Sequence, residues 1–589
     1  MFPLCWRDVR LMSVAPLIVL AAGSTPDDKN TPKGDNPIAT SPAAPPLSAT
    51  QKKVVFATSL GTVFEWYDFY LYGALATIIA RQFFSGLDDG SAYFFALLTF
   101  AAGFVVRPFG ALVFGRLGDM VGRKYTFIVT ILIMGLSTFI VGVVPNYASI
   151  GVAAPLILIF LRLLQGLAMG GEYGGAATYV AEYAPKGRRG AYTAWIQTTA
   201  TLGLALSLLV VLGTRWLLGD HAFEDWGWRI PFLLSILLLG VSVYIRLNLS
   251  ESPAFLRMKA QGRRSKAPLT ESFARVNNLK TVLLALAGLT GGQAVIWYCS
   301  QLYVLFFLTQ SLMVEATVAT LWVAASLLLG SPFFVLFGAW SDKVGRKPII
   351  MLGCALAAAS YFPVFSALTA AANPALATAQ ATNQVTVTAD QAECSFQLDL
   401  TGSARFSSSC DMAKQALAAA SVSYTNVAGV VGTPAVIHVG GVAVSSYSVQ
   451  GLSGAEARRH ADTFKAMLAQ ALADAGYPTK ADMSRVNTWG VMALLIYLVV
   501  LVAMVYGPMA AALAEMFPTR LRYTSVSLPY HIGNGWLGGL LPTIAFAVVA
   551  QTGDMYSGLW YPVIVAGATA VVGTLWLKET KDVDLDKVE

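Results

Sequence analysis

The chain has 589 residues, of which 56% are hydrophobic and 12% charged, and a formal net charge of +7. Soluble domains average roughly 45–50% apolar and about a quarter charged, so an ordinary soluble protein is excluded. Lys and Arg fall in short loops between apolar runs, so the positive balance marks membrane orientation, not nucleic acid.

In chain order, residues 1–24 carry Arg7, Arg10, an apolar run from Leu11 to Ala22 and then small residues. That is the pattern of a secretory signal peptide. Cleavage there would invert every later helix against its loop charges, so an inert tail or a mis-assigned upstream start is expected. Residues 24–50 are rich in Pro, Ser, Thr and Ala and are expected to be disordered. Residues 1–50 are therefore set aside as a tail.

Twelve apolar stretches follow, each suited to a bilayer core that about 20 residues can span. Six lie at 54–80, 92–115, 125–145, 153–182, 191–214 and 229–247. Six more lie at 281–309, 317–338, 348–371, 488–516, 527–550 and 558–577. Residues 51–247 thus make one six-helix half, and 281–372 with 488–577 make a second. A loop at 248–280 joins them, and 578–589 is a tail. The fold class is all-α and polytopic. Every exit from an even-numbered helix is basic, as at Arg123 and Lys124, Arg188 and Arg189, Arg346 and Lys347, or Arg520 and Arg522. Residues Arg257, Lys259, Arg263 and Arg264 extend the pattern after helix six. The opposite loops nearly lack Lys and Arg, so both termini are expected on the cytoplasmic side of a bacterial inner membrane.

Within "TVFEWYDFYLYG" (Thr62 to Gly73), Glu65 and Asp68 sit in an otherwise lipid-compatible span. A mid-membrane Asp costs about 2.5–3.5 kcal/mol on insertion scales. Three residues apart on a helix, both acids share one face, which should turn into the bundle. Helix two adds Arg107, and helix four adds Arg162, Gln165 and Glu172. Two readings are open: ion pairs that hold helices together, or a proton and substrate site. In the second, Glu65, Asp68 and Glu172 carry protons. Arg107, Arg162 and Gln165 then hold or gate the solute, because a guanidinium fork suits a carboxylate. Gly166, Gly170 and Gly174 recur every four residues and predict close helix packing.

In the second half, Gln293, Trp297 and Gln301 make a polar stripe on helix seven, and Tyr530, His531 and Asn534 make one on helix eleven. Substrate contact and interhelical hydrogen bonding are both open for these. His531 itself reads as a buried histidine with its hydrogen bonds met.

Between helices nine and ten, residues 373–487 are mostly polar and read as a small α+β insertion on the outer side. "NQVTVTAD" and "AVIHVGGVAVSSYSV" alternate like strands, with Gly440 and Gly441 at a hairpin turn. Ala461, Phe464, Leu468, Ala471, Leu472 and Ala475 make one apolar helix face. Cys394 and Cys410 suit a disulfide in an oxidising compartment, with two free thiols as the other reading. His438 and His460 are isolated and fit no metal site.

One repeat organises the chain. "GRLGDMVGRK" ends helix two and "GAWSDKVGRK" ends helix eight. Gly115, Asp119, Gly122, Arg123 and Lys124 match Gly338, Asp342, Gly345, Arg346 and Lys347 in register, which points to duplicated halves. Asp119 and Asp342 beside clustered cations suggest gates that latch one side and part when the halves rock. These segments resemble the loop signature of the major facilitator superfamily. With "RLLQGLAMGGEYGGAATYVAEYAPKGRRG" and "FEWYDFYLYG", the chain resembles the metabolite:proton symporter family, whose carriers take shikimate, 2-oxoglutarate, citrate, proline and betaine. The resemblance implies a major facilitator fold of twelve transmembrane helices working by alternating access. It implies symport of a small organic acid or similar polar metabolite, with the proton as coupling ion and no other cofactor. Beyond solute, proton and lipid bilayer it implies no partner, and a monomer is expected.

Other function classes would leave other marks. A proton-coupled exporter would carry a Gly-Pro-rich helix five, and "WIQTTATLGLALSLLVVLGT" has no proline. An osmolyte carrier that senses hypertonicity, of the kind resembling the betaine carriers, often has a long carboxyl-terminal coiled coil, and no heptads follow helix twelve. A receptor using the outer insertion is a different class, which deleting residues 373–487 would test. No nucleophile, metal cluster or nucleotide loop suggests an enzyme.

Overall fold

The computed structural model describes residues 49–86, 89–248, 251–262, 265–395 and 406–585. The signal-like run with Arg7 and Arg10, most of the tail at 1–50, and Arg263 and Arg264 lie outside the described residues. Among the described residues, eleven helices are long and apolar enough to cross a membrane. They are helix two (Leu98–Met120), three (Arg123–Val143), four (Ala153–Tyr183), five (Arg189–Leu218) and six (Arg229–Leu247). Helices seven (Val276–Ser311), eight (Ala316–Val344), nine (Arg346–Ala372), ten (Thr488–Met516), eleven (Arg522–Val549) and twelve (Ser557–Trp576) follow. Helix one, Ala49–Ala74 with the short continuation Ala76–Phe83, is absent from that set. Its middle holds Glu65, Asp68 and the polar-tipped rings of Trp66, Tyr67, Tyr70 and Tyr72, all buried inside the protein. Its partners are other helices, so it needs less apolar surface than a lipid-facing span.

The two halves meet along helices two and eleven and along helices five and eight. The glycines of helix four act as their spacing predicts. A Cβ on Gly166 would lie 2.1 Å from the carbonyl oxygen of Gly103, and one on Gly170 equally close to that of Arg107. Helix four therefore packs backbone to backbone on helix two.

Helix two breaks at Val106, where the run Asp89–Val105 gives way to Arg107–Met120. Pro108 lacks the N–H that would continue the ladder, and its ring crowds the preceding turn. The break frees the carbonyl of Val105, which accepts from the Trp536 indole at 3.1 Å, and it sets Arg107 at the start of a new helix. Helix seven carries three π-helical stretches, at Leu286–Thr290, Tyr298–Tyr303 and Phe307–Ser311. Such stretches recur at functional sites.

Among the described residues, the insertion is a four-stranded sheet with three helices, of which Pro374–Thr382 comes first. Strands β1 (Val385–Ala389), β2 (Tyr424–Ala428), β3 (Val436–Val439) and β4 (Val442–Ser445) lie in the order β2-β1-β3-β4. The helix Ser409–Ala419 carries the chain from β1 to its parallel neighbour β2, as a parallel pair requires. Gly440 and Gly441, at φ of 53° and 94°, close the antiparallel β3–β4 hairpin. Phe464, Leu468, Ala471 and Leu472 form the buried face of the helix Gly454–Asp474. Cys394 and Cys410 are joined in a disulfide. The sheet domain is stitched to the second half: the amide of Tyr424 donates to Gly553 at 2.8 Å and that of Ala481 to Met313 at 3.1 Å. Ser421 Oγ donates to the carbonyl of Gln310 at 2.5 Å.

Candidate functional site

Two clusters stand out, one at the end of the bundle bearing the basic loops and one at its centre. At the basic face, Asp119 accepts from the amides of Tyr523 and Thr524 at 3.3 and 3.0 Å and from Thr524 Oγ1 at 2.7 Å. It thus caps helix eleven across the seam, where unpaired N–H groups and the helix dipole favour an anion. Asp342 does the same for helix five, accepting from the amides of Gly190 and Ala191 at 2.8 and 2.9 Å. Each half therefore caps a helix of the other.

Around each aspartate the charges repeat. Glu182 bridges Arg123 at 2.9 Å and Arg522 at 3.1 Å. Glu515 bridges Arg346 at 3.2 Å and Arg189 at 3.5 Å. Ser252 Oγ donates to Glu182 at 2.5 Å, and Thr580 Oγ1 to Glu515 at 2.9 Å. Glu251 accepts from the amide of Lys124, and Glu579 from those of Arg346 and Lys347. Lys124 and Lys347 each cap the end of a following helix, donating to the carbonyls of Leu247 and Leu577 at 2.8 Å. Gly122 and Gly345, at φ of 141° and 118°, turn the chain between helices in a conformation that side chains rarely adopt. A Cβ there would also meet Glu251 or Glu579. Gly115 lies on the backbone of Thr524 and Gly338 on that of Gly190, so both permit the close approach across the seam. Both clusters thus join the two halves at the basic face.

Glu182, Glu515, Arg189 and Arg522 were not among the residues expected in the gates. A second repeat carries them: "AEYAPKGRR" (Ala181 to Arg189) and "AEMFPTRLR" (Ala514 to Arg522) share Ala, Glu, Pro and a final Arg in register.

Next to the basic face, Glu65 pairs with Arg246 in the last turn of helix six at 3.2 Å, while its other oxygen has no hydrogen-bond partner among the described residues. Asp68 Oδ1 and Glu172 Oε1 are likewise buried without one. Burial on this scale is costly for an uncompensated charge. The Phe69 ring lies between two guanidinium groups, with Arg107 Cζ 4.0 Å and Arg162 Cζ 3.9 Å from its centre. Arg162 donates to the carbonyl of Phe69 and to Gln165, which donates on to Thr138 of helix three. Arg107 instead reaches across the seam to Tyr298 Oη at 3.4 Å.

The polar stripes of the second half divide. Gln293 and Asn534 exchange bonds at 3.3 and 3.0 Å. Gln301 bonds Thr201 of helix five at 3.1 Å. Trp297 stacks on Tyr70 at 5.4 Å, with its indole N–H buried and unpartnered. Tyr530 stacks on Tyr173 and shares a 2.5 Å hydrogen bond with Tyr506. His531 departs from expectation: it is fully buried, yet neither ring nitrogen has a hydrogen-bond partner. The rings of Tyr530 and Tyr173 stand at right angles to it.

Against known proteins, residues 54–288 match the model of the "Sugar (and other) transporter" family. The "Inner membrane metabolite transport protein YhjE" of Escherichia coli is 36% identical over 335 residues, 56% of this chain and 75% of that one. The "Glycine betaine/proline/ectoine/pipecolic acid transporter OusA" of Dickeya dadantii is 36% identical over 310 residues, and the match spans 62% of its length. A "Proline/betaine transporter" of Salmonella typhimurium is 35% identical, over 64% of its length. Among solved structures, the proton:xylose symporter XylE bound to 6-bromo-6-deoxy-D-glucose has the same fold, with a TM-score of 0.57 at 15% identity. That match covers 92% of this chain and 98% of the other.

Proposed function

Because the chain belongs to the sugar (and other) transporter family, in the major facilitator superfamily, we propose that it is a proton-coupled symporter. It imports a small carboxylate-bearing metabolite, an organic acid or a zwitterion, by alternating access. The observation that carries this reading is the set of buried acids on helices one and four. Asp68 and Glu172 each keep an oxygen with no partner, and a proton taken up there cancels a charge that the surroundings leave uncompensated. Glu65 shares the role, with Arg246 as the cation that replaces its proton.

The solute lies at the seam between Arg107, Arg162 and Gln165 of the first half and Gln293, Trp297, Gln301, Tyr530 and Asn534 of the second. Relatives that carry proline and betaine support a zwitterion among the candidates. The basic face is cytoplasmic, the termini lie there, and the insertion faces the periplasm. In this orientation the closed latches describe a carrier shut toward the cell interior. Loading from outside and proton uptake precede their parting.

The test is uptake into proteoliposomes under an imposed pH gradient, with radiolabelled proline, glycine betaine, citrate and 2-oxoglutarate as probes. Accumulation of at least one probe, abolished by an uncoupler, is expected. Uptake indifferent to the pH gradient for every probe overturns the coupling.

A further inference from the structure

His531 is the polar group of the central chamber that the assignments above leave unused, and its surroundings point to a task. It sits on helix eleven between Tyr530, which is tied to Tyr506 and stacked on Tyr173, and Asn534, which is tied to Gln293. Its ring stands edge-on to Tyr530 at 5.0 Å and to Tyr173 at 6.4 Å, with interplanar angles of 89° and 90°. The imidazole is thus held in place by rings while both nitrogens stay uncommitted. A buried polar group without a partner is costly and calls for an explanation at a site that a ligand fills.

The residue one turn later fixes where that ring lies. Gly535 shares the face of His531. A Cβ added there would stand 3.7 Å from Cβ of Arg107 and 2.7 Å from the carbonyl oxygen of Phe104. This face of helix eleven therefore lies against the break in helix two where Arg107 starts. Arg107 brings its own uncommitted donors, Nε and Nη2, with Nη1 alone spent on Tyr298. Arg162 has the same uncommitted atoms and the same ring surroundings, but its one bonded nitrogen is spent within its own half, on the carbonyl of Phe69 and on Gln165, whereas that of Arg107 reaches across the seam. Free donors thus come from opposite halves toward one seam: a guanidinium edge from helix two and an imidazole N–H from helix eleven. Donors gathered around a single cation suit an anionic group with two oxygens.

Resting on the symport reading above, we propose that His531 contacts the solute and, with Arg107, holds its carboxylate across the seam between the halves. Arg107 supplies charge and the paired bonds. His531 supplies the second half's grip, so a bound carboxylate ties the two halves together. A solute with the carboxylate replaced by an amide loses both features.

The test uses the full chain in proteoliposomes, with whichever of proline, glycine betaine, citrate or 2-oxoglutarate the wild type accumulates. His531→Phe keeps a ring and removes the hydrogen bonds; His531→Gln keeps a side-chain N–H donor. The expected result is a rise of about 10-fold or more in half-saturating concentration for the Phe variant, the scale of losing a hydrogen bond to a charged group. Maximal rate and thermal unfolding midpoint stay near wild type, and Gln recovers most of the affinity, which a merely space-filling role would not give. If the Phe variant unfolds, His531→Met carries the same test. Wild-type half-saturation in a folded Phe or Met variant overturns the inference while leaving symport intact. A wild type that accumulates none of the four probes removes the reading beneath it, and the inference with it.

Discussion

The basic face and the central chamber are built from the same two duplicated halves, yet they have diverged to different extents. At the basic face every element has its counterpart: Asp119 and Asp342 as helix caps, Glu182 and Glu515 as bridges, Glu251 and Glu579 closing the turns. In the chamber the symmetry is gone. Helices one, two and four bring acids and two arginines, whereas helices seven, ten and eleven bring amides, aromatic rings and one imidazole. The latch consists of groups that satisfy one another. The chamber keeps buried atoms with no partner among the described residues, including one oxygen each of Asp68 and Glu172, part of Arg107 and both nitrogens of His531. Both halves of a latch must do the same thing, so duplication suffices there. On the proposed reading, holding a solute and a proton asks different chemistry of each side.

That contrast can be broken at several points. The largest effect is expected at Asp68→Asn, which removes a proton site. Accumulation against a gradient falls to the equilibrium level while solute exchange continues, as paired uptake and counterflow assays will read. Normal accumulation in the variant removes Asp68 from the coupling. Next, Arg107→Lys keeps the charge but loses the planar fork, and half-saturation rises by about 10- to 100-fold, the scale of 1.5–3 kcal/mol for bonds to a charged group.

The latches come third. Asp119→Ala and Asp342→Ala each remove a helix cap worth about 1–2 kcal/mol, a shift of roughly 5- to 30-fold toward the state open at the basic face. Maleimide labelling of a cysteine introduced at Ala194, buried beneath the seam, reports it. Similar shifts for the two variants are expected from the repeated geometry, and a large inequality would break the symmetry argument. Glu251→Gln and Glu579→Gln touch only the caps of the following turns, and about 0.5–1 kcal/mol each is expected in the same assay. Smallest for transport is Cys394→Ser. It lowers the stability of the insertion by about 3 kcal/mol, the scale for a loop of this length, with uptake unchanged.

Helical spans and the repeated motif with Asp119 and Asp342 were legible from sequence because they rest on local pattern. Apolar runs of sufficient length, basic exits and Gly-x-x-x-Asp-x-x-Gly-Arg-Lys need no knowledge of neighbours. The β3–β4 hairpin and the buried face of Gly454–Asp474 were legible for the same reason, through alternation, a Gly-Gly turn and helical period. The acids of helix one could be assigned to an inward face because lipid excludes the alternative.

Tertiary structure alone decided which polar groups are spent and which are free. Gln293 and Asn534 are 241 positions apart and satisfy one another, while His531, three residues from Asn534, is left with nothing. Which group finds a partner depends on where another helix ends up, and no periodicity encodes that. The same holds for the capping of helix eleven by Asp119, some 400 residues earlier in the chain. Sequence determined that charges would be buried and where they would lie along each helix. Packing determined their partners, because a hydrogen bond is made over about 3 Å of space, whatever the distance along the chain.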